Sequence, residues 1–376
     1  MPVELYLYAI IIIAYGLFVT IAIIGFGRLK VNLLEKKEIS SSYFSIVISA
    51  RNEAENIEDC ITQIINQNYP KDNFELIVVD DNSDDDTYDI AFSVLKDSGL
   101  SYQLIKQIHH KGKKYNISEA IKISKGSIII TTDADVIFRT SNWLNTISNY
   151  FNTFSPNMLV MPIDYESNPG FLNYFQIIEN IALTAITAGY CGIKKPFMCN
   201  GANLAFKKSV FEQVNGYQSH LNISSGEDVF LLEEVKKVDS NSIHYGLLKD
   251  LIVKTKTINT MPAFLKQRIR WAYKSKYNPN FINLFSGFVI VTANLLIVRL
   301  FFAILTKSGS VPYLLIFIIV KFVIDFLLVF LASKFLGRIK FIWWFIPFEI
   351  IYWMYVLIVG TSSLFLKPNW KGKKTN

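Results

Sequence analysis

Two aspartates separated by one alanine follow a run of β-branched residues in the segment SIIITTDADVIF, residues 127–138. The run at 127–132 predicts a buried strand, so Asp133 and Asp135 come directly after its carboxyl end. Two interpretations fit this spacing. Strands commonly end in aspartate-rich turns, and paired carboxylates also bind divalent cations.

A second acidic pair, Asp80 and Asp81, follows another predicted strand. Clustered carboxylates raise one another's pKa unless a positive group lies among them. Mg²⁺ and Mn²⁺ prefer oxygen ligands and usually take one or two carboxylates together with phosphate oxygens of a substrate. The two pairs therefore predict a site for Mg²⁺ or Mn²⁺ with a diphosphate ligand such as a nucleotide. The sequence contains no glycine-rich P-loop and no GxGxxG, which argues against ATPase-type or dinucleotide-type phosphate binding.

The elements that must position these carboxylates alternate between strand and helix. Short apolar runs predict strands at 44–49, 74–80, 102–107 and 127–132, and helical spacing predicts helices within 52–67, 86–98 and 116–124. This alternation predicts an α/β fold with a doubly wound sheet and right-handed crossovers. Ligands of such sheets bind beyond the carboxyl ends of the strands, which here carry SARNE, DDNSDDD and TTDAD. A longer helix at about 169–190 fits either the membrane surface or a protein core.

The composition indicates a membrane protein, because hydrophobic residues make up 51% of the chain and charged residues only 18%. Residues 5–27 carry no charge and are long enough to cross a hydrocarbon core of about 30 Å. Glu4 before this segment and Arg28 after it favour an uncleaved anchor over a signal peptide. The positive charges at 28–37 place the residues that follow in the cytoplasm.

Three further apolar stretches occupy 285–305, 311–333 and 341–366. If all three span, the basic tail lies outside, against the positive-inside tendency, so a topology with one interfacial or re-entrant stretch stays open. Arg299, Lys321 and Asp325 lie within these stretches and are expected to pair inside the helix bundle. The predicted organisation is an anchor at 1–30, a linker at 31–43, a cytoplasmic domain at 44–280, a C-terminal membrane region at 281–367 and a basic tail at 368–376.

The net charge of +7 does not indicate nucleic-acid binding. Much of the basic excess lies beside the apolar stretches, where it favours attraction to anionic lipid. The soluble part has no basic stripe interleaved with aromatic residues. Cys60, Cys191 and Cys199 have no metal-ligand spacing and fit free thiols in a reducing compartment, and the four histidines show no ligand or triad pattern.

Six segments together resemble a known family. In chain order they read SIVISARNEAENIEDCI, LIVVDDNSDDDT, TTDAD, CNGANLAF, GEDVFLLEEV and QRIRW. Their order and approximate spacing resemble those of membrane-bound family 2 glycosyltransferases with the GT-A fold, over residues 44–275. A single DxD motif is weak evidence, whereas six motifs in order are specific.

The resemblance implies a nucleotide-sugar donor, with UDP as the expected nucleotide, and assigns residues to it. Ala50, Arg51, Asn52 and Glu53 match the loop that holds base and ribose, Asp80 matches the residue that binds uracil or ribose, and Asp81 lies nearby. Lys113 resembles the lysine of the GGKxxALN segment, although Ile117 and Ser118 replace its usual leucine and asparagine. Asp133 and Asp135 match the DxD pair, with Asp135 expected to contact the metal and Asp133 the ribose or the metal.

Sugar transfer with inversion needs a base that takes the proton of the acceptor hydroxyl, and the metal stabilises the departing nucleoside diphosphate. Glu227 and Asp228 lie at the start of a predicted helix, where a carboxylate is also favourable as a simple capping charge. The family's glutamate–aspartate pair favours Asp228 as the base, with Glu227 beside it. Asn200, Gly201 and Asn203 resemble the acceptor-side loop, where glycine permits close approach of substrate.

The segment QRIRW places Gln267, Arg270 and Trp271 on one face of a helix. An indole stacks on a sugar or base and an arginine neutralises a diphosphate, so these residues are expected at the active site. The surrounding lysines also favour contact of this helix with the membrane, and both properties are expected together.

The predicted function is that of an inverting, metal-dependent hexosyltransferase in the plasma (inner) membrane, with its catalytic domain in the cytoplasm. Its acceptor is expected to be a membrane lipid or lipid-linked molecule. Two alternatives remain: a processive polysaccharide synthase, since QxxRW is also typical of those enzymes, and a non-catalytic membrane scaffold.

Overall fold

The computed structural model describes residues 3–29, 42–218, 226–278, 280–366, 369–370 and 373–374. The predicted linker at 31–43 and tail at 368–376 lie largely outside these ranges. The chain forms two compact units. The first, called the sheet unit, comprises Leu29–Glu166 and Lys194–Lys256, and the second, called the helical unit, comprises Met1–Arg28, Ser167–Ile193 and Thr257–Lys374.

The strands of the sheet unit form two sheets. They are β1 (Phe44–Ala50), β2 (Phe74–Asp80), β3 (Ser101–Lys106), β4 (Ile128–Thr132), β5 (Ile137–Phe138), β6 (Met158–Val160), β7 (Ile163–Tyr165), β8 (Asn203–Lys207), β9 (Ile243–Tyr245) and β10 (Val253–Thr255). The larger sheet has the order β3-β2-β1-β4-β8-β6-β9 and the smaller the order β5-β10-β7. In the helical unit, β11 (Asn369–Trp370) and β12 (Lys373–Lys374) pair with each other.

Twelve α-helices complete the described part of the chain. They are α1 (Val3–Arg28), α2 (Ile57–Ile65), α3 (Thr87–Leu95), α4 (Lys113–Ile123), α5 (Trp143–Phe154), α6 (Phe171–Gly192), α7 (Lys208–Gln213), α8 (Glu227–Asp239), α9 (Met261–Lys274), α10 (Phe281–Leu305), α11 (Val311–Leu336) and α12 (Phe345–Phe365). Helices α1, α6 and α9–α12 belong to the helical unit.

The parallel part of the larger sheet confirms the predicted α/β fold. β1 pairs in parallel with β2 and with β4, and β2 pairs in parallel with β3. All residues of β2 and β4 are buried, which explains their continuous apolar and β-branched sequences. Asp80 is in register with Ala50, and Thr132 with Ile48, so the carboxyl ends of these strands share one edge of the sheet. The antiparallel strand β8, which pairs with β4 and β6, was not predicted.

The core of the sheet unit lies on the face of β1 that carries Phe44, Ile46 and Ile48, against α2 and α5. Helix α2 begins at Ile57, and residues 52–56 form a loop where the sequence predicted helix. Burying one phenylalanine or isoleucine side chain stabilises a fold by about 1.5–3 kcal/mol, so this core stabilises the sheet.

Among the described residues of the helical unit, four helices are long and apolar enough to cross a membrane: Glu4–Arg28, Phe281–Leu305, Val311–Leu336 and Ile339–Phe365. The three charged residues that the sequence predicted to pair, Arg299, Lys321 and Asp325, each have a partner of opposite charge. Lys321 lies 2.8 Å from Asp325 and also contacts Glu349 of α12. Arg299 lies 3.1 Å from Glu4 of α1.

Helix α6 packs on α1 through glycines at close backbone approach. An added Cβ at Gly189 would lie 2.2 Å from the backbone oxygen of Ala22, and one at Gly25 would lie 1.9 Å from the oxygen of Gly189. Real Cβ atoms do not approach backbone atoms this closely, so the crossing requires glycine.

We therefore expect Gly189→Ala to destabilise the protein by about 1–3 kcal/mol, because α1 and α6 must separate to admit the methyl group. Gly27→Ala is the matched control, since nothing lies within 4 Å of a Cβ at this position of α1. The check is the thermal unfolding midpoint in detergent. Equal midpoints for the two variants would contradict the close crossing.

Candidate active site

The loops that follow β1 and β2 are tied together by hydrogen bonds. The backbone N–H of Asn52 donates to the Ser83 hydroxyl over 3.0 Å, and the Asn52 side-chain oxygen accepts from the backbone N–H of Asp84 over 2.9 Å. Asn52 and Asn82 adopt left-handed backbone conformations, which asparagine tolerates better than most residues. Arg51 lies 3.6 Å from the carboxylate of Asp84. The segment predicted to hold base and ribose therefore lies in one of two loops that are hydrogen-bonded to each other.

The two acids at the end of β2 have different environments, which the sequence did not separate. Asp80 is buried and accepts hydrogen bonds from the hydroxyl and the backbone N–H of Ser83. Asp81 accepts from the backbone N–H groups of Lys111 and Gly112 and lies 2.6 Å from Nδ1 of His110. Asp81 therefore holds the loop that leads into α4. His110 was not predicted to take part, because nothing in its spacing from Asp81 signals the contact.

Lys113, the first residue of α4, brings two predicted motifs together. Its ammonium group contacts the Asp133 carboxylate and lies 3.1 Å from Oε1 of Glu227. Burial by itself would lower the pKa of Lys113, but the charges of Asp133 and Glu227 outweigh it and raise the pKa above its usual value. The lysine therefore remains a cation among the carboxylates at physiological pH.

Of the two carboxylates of the DxD pair, Asp135 has the negative charge that is less compensated, because Lys113 pairs with Asp133. Burial raises its pKa first, and the neighbouring charges of Asp133 and Glu53 raise it further, while a 2.8 Å hydrogen bond from the Thr255 hydroxyl opposes this effect. A nearby cation would relieve the repulsion between these carboxylates.

The donor set fits a cation that arrives with its substrate. Within residues 3–29, 42–218, 226–278 and 280–366, no cluster of three or more His, Cys, Asp or Glu side chains forms a self-contained metal cage. Asp133 and Asp135 supply two carboxylates, which is what Mg²⁺ usually takes from a protein when phosphate oxygens and water complete its coordination.

Asp228 lies in the first turn of α8 and is bound to the loop that precedes β8. One of its carboxylate oxygens accepts from the backbone N–H of Gly201 over 3.0 Å, and the other accepts from the N–H of Val229 over 2.8 Å. A Cβ on Gly201 would lie 3.7 Å from both Lys113 Nζ and Glu227 Oε1. The acceptor-side loop predicted from CNGANLAF therefore passes directly beside the charged cluster.

The three residues of that loop separate in the structure. Gly201 lies beside the cluster, whereas Asn200 is exposed and its side-chain oxygen accepts from the N–H of Ala202 over 3.0 Å. Asn203 is fully buried and its amide donates to the carbonyl oxygens of Pro162 and Leu251 while accepting from the Trp143 indole. The structure does not bring the Asn203 side chain beside the charged cluster; its amide instead binds the chain just before β7 and just before β10.

Gln267, Arg270 and Trp271 lie on α9 of the helical unit. Arg270 is buried, while Gln267 and Trp271 are partly exposed. Their predicted contact with the donor stays a prediction.

Residues 45–214 match the model of the family described as glycosyl transferase family 2. Glycosyltransferase AglE of Haloferax volcanii is 34% identical over 49% of this chain and 59% of its own length. The UDP-Glc:alpha-D-GlcNAc-diphosphoundecaprenol beta-1,3-glucosyltransferase WfaP of Escherichia coli is 27% identical over 60% of this chain and 89% of its own length. The mannosyltransferase PcManGT of Pyrobaculum calidifontis, solved in complex with GDP-Man and Mn²⁺, superposes with a TM-score of 0.56 at 14% identity, covering 96% of this chain and 99% of its own.

Residues 45–214 thus carry a glycosyltransferase domain. The matched family, glycosyl transferase family 2, is the one that the motifs predicted. The matched region spans about three fifths of the length of AglE.

We expect Asp135→Asn to stabilise the metal-free protein at neutral pH. The pKa of Asp135 is raised in the folded state, so its ionisation costs folding free energy. That cost is absent below the ordinary aspartate pKa of about 4 and is fully developed once the pH exceeds the raised folded pKa. The variant's advantage in unfolding midpoint should therefore grow from pH 4 to pH 7 in EDTA.

The same measurement with added Mn²⁺ tests the metal assignment. The cation should raise the midpoint of the wild-type protein more than that of Asp135→Asn. An equal rise in midpoint for the two proteins would contradict the metal assignment. A variant that is less stable than wild type at pH 7 in EDTA would contradict the raised pKa of Asp135.

Proposed function

We propose that the protein is an inverting, metal-dependent hexosyltransferase that moves a sugar from a nucleotide sugar, with UDP as the expected nucleotide, to a membrane lipid or lipid-linked acceptor. The observation that carries the proposal is the charged cluster in which Lys113 contacts both Asp133 and Glu227, next to the Asp228–Gly201 hydrogen bond. These contacts bring Asp133, Glu227 and Gly201 close together, which supports a shared role for the DxD motif, the GED motif and the loop at 200–203.

The donor is expected to lie on the loops after β1 and β2. Residues 50–53 and Asp80 would bind the nucleoside. Asp133 and Asp135 would hold a Mg²⁺ or Mn²⁺ ion together with the diphosphate, and the ion would stabilise the charge on the leaving group. Lys113 contributes a fixed positive charge beside that position, while Asp81 holds the loop from which Lys113 begins.

Asp228 is the base in this proposal. Hydrogen bonds from the N–H groups of Gly201 and Val229, together with the start of α8, stabilise its ionised form before the acceptor arrives. As the acceptor oxygen bonds to the anomeric carbon, the bond from that carbon to the diphosphate oxygen breaks and the hydroxyl proton passes to Asp228. Glu227 is already paired with Lys113, which leaves Asp228 as the better-placed acceptor of the proton.

The lipid acceptor and the cytoplasmic orientation rest on the membrane helices. Four helices of membrane-spanning length belong to the same chain as the transferase domain, and the relative WfaP is named for a diphosphoundecaprenol-linked acceptor. The basic residues after α1 favour a cytoplasmic location for the sheet unit, with the apolar helices in the plasma (inner) membrane.

We expect Asp228→Asn to lower the rate of sugar transfer by about 10²–10⁴-fold, because it removes the group that accepts the proton. The matched control is Asp89→Asn, which removes an exposed carboxylate from the first turn of α3. The check is single-turnover transfer with saturating donor. Transfer by Asp228→Asn at the wild-type rate would contradict the role of base.

A panel of nucleotide sugars supplied to membranes tests the function itself. We expect label from one UDP-sugar to enter the organic phase, and EDTA to abolish this transfer. Label in high-mass polymer would instead show the processive synthase, and no transfer from any donor would favour the non-catalytic scaffold.

A further inference from the structure

The QRIRW segment contains an arginine to which the sequence assigned no role. Arg268 lies one residue after Gln267 and three before Trp271, and it is almost fully buried, with 2% of its surface exposed. An arginine buried to this degree needs a partner for its charge, because an unpaired buried charge is strongly destabilising.

The partner is Glu179 of α6. Nε of Arg268 donates to Oε2 of Glu179 over 2.8 Å, and Nη2 donates to the same oxygen over 2.6 Å. The other carboxylate oxygen of Glu179 accepts from the hydroxyl of Tyr355 on α12. One buried ion pair therefore links three helices, α6, α9 and α12.

The Arg268 guanidinium contacts Gln267 and Trp271, two of the three residues of α9 that are expected at the active site. Its Nη1 donates to the side-chain oxygen of Gln267. Its plane lies over the Trp271 ring, with 4.2 Å between Cζ and the ring centroid, and over the Phe264 ring at 4.6 Å. Arg268 therefore covers one face of the indole, so a sugar or base could stack only on the opposite face.

We propose that Arg268 is a positioning residue, paired with Glu179, that holds Gln267 and Trp271 of α9 in the geometry required for sugar transfer. This inference rests on the proposed function, because it assumes that the two residues bind substrate. A substrate-binding group displaced by about 1 Å can cost on the order of 10²-fold in rate, so holding α9 still would affect turnover directly.

The test uses the full-length protein in nanodiscs. Arg268→Gln alone would leave the Glu179 charge buried and unpaired, so the main variant is the double change Glu179→Gln with Arg268→Gln, which removes both charges. Lys266→Gln is the control, since it removes an exposed positive charge from the same helix. Hydrogen exchange of residues 264–274, measured by mass spectrometry, reports the local stability of α9 and does not require enzymatic activity.

We expect the double variant to raise amide exchange in 264–274 by about 10-fold or more, with no change in β1, β2 and β4 and none in Lys266→Gln. Unchanged exchange in 264–274 would overturn the proposal whether or not the protein transfers sugar. If exchange rises as expected but the wild-type protein transfers no sugar from any donor, the proposed function fails while the hold of Arg268 on α9 stands.

A cycle with Trp271→Phe then tests whether the effect passes through Trp271. The double variant should lower kcat by about 10-fold or more while KM for the donor changes less than about 3-fold. Added to Trp271→Phe, it should lower kcat little further, because the positioned ring is already gone. Additive losses, or equal loss in the Lys266→Gln control, would show a merely structural pair and overturn the positioning role.

Discussion

The candidate site depends on the ammonium group of Lys113, a partly buried cation that lies between the carboxylates of Asp133 and Glu227. Asp133 follows β4 and Glu227 begins α8, so two acids from distant parts of the chain meet at the same edge of the sheet. Without a positive charge between them they would repel one another and raise each other's pKa. The lysine permits this concentration of carboxylates, and a substrate-borne metal ion would relieve the remaining charge on Asp135.

The surrounding polar residues act mainly on the backbone. Asp81 accepts from the loop before α4, Asp228 from Gly201 and Asn203 donates to two carbonyl oxygens. Side chains that bind backbone groups hold loops in single conformations, because a buried N–H or C=O left without its partner is costly. The loops of the candidate site are therefore held by acidic and amide side chains.

The helical unit follows the same rule in an apolar setting. Lys321 pairs with Asp325 and Glu349 between α11 and α12, and Arg268 pairs with Glu179 between α9 and α6. A charge among apolar helices is tolerated when its partner comes from a neighbouring helix, so each such pair also specifies which helices meet. The ion pairs formed by these residues thus link neighbouring helices.

The parallel strands β1–β4, the apolar helices and the resemblance to a family could all be predicted from the sequence, because they follow from periodicity, from runs of apolar residues and from motif order along the chain. The sequence also located the acids at the strand ends, since the carboxyl ends of parallel strands meet at one edge. The role of each polar residue, in contrast, became visible in the folded chain alone. Asp80 and Asp81 are adjacent in sequence, yet Asp80 binds Ser83 and Asp81 binds the loop at 110–112. Asn203 matches a motif but is buried and binds the carbonyl oxygen of Pro162, while Arg268 occupies an unspecified motif position and pairs with Glu179, 89 residues away. These roles depend on distances between segments far apart in the chain, and local spacing carries no information about such distances.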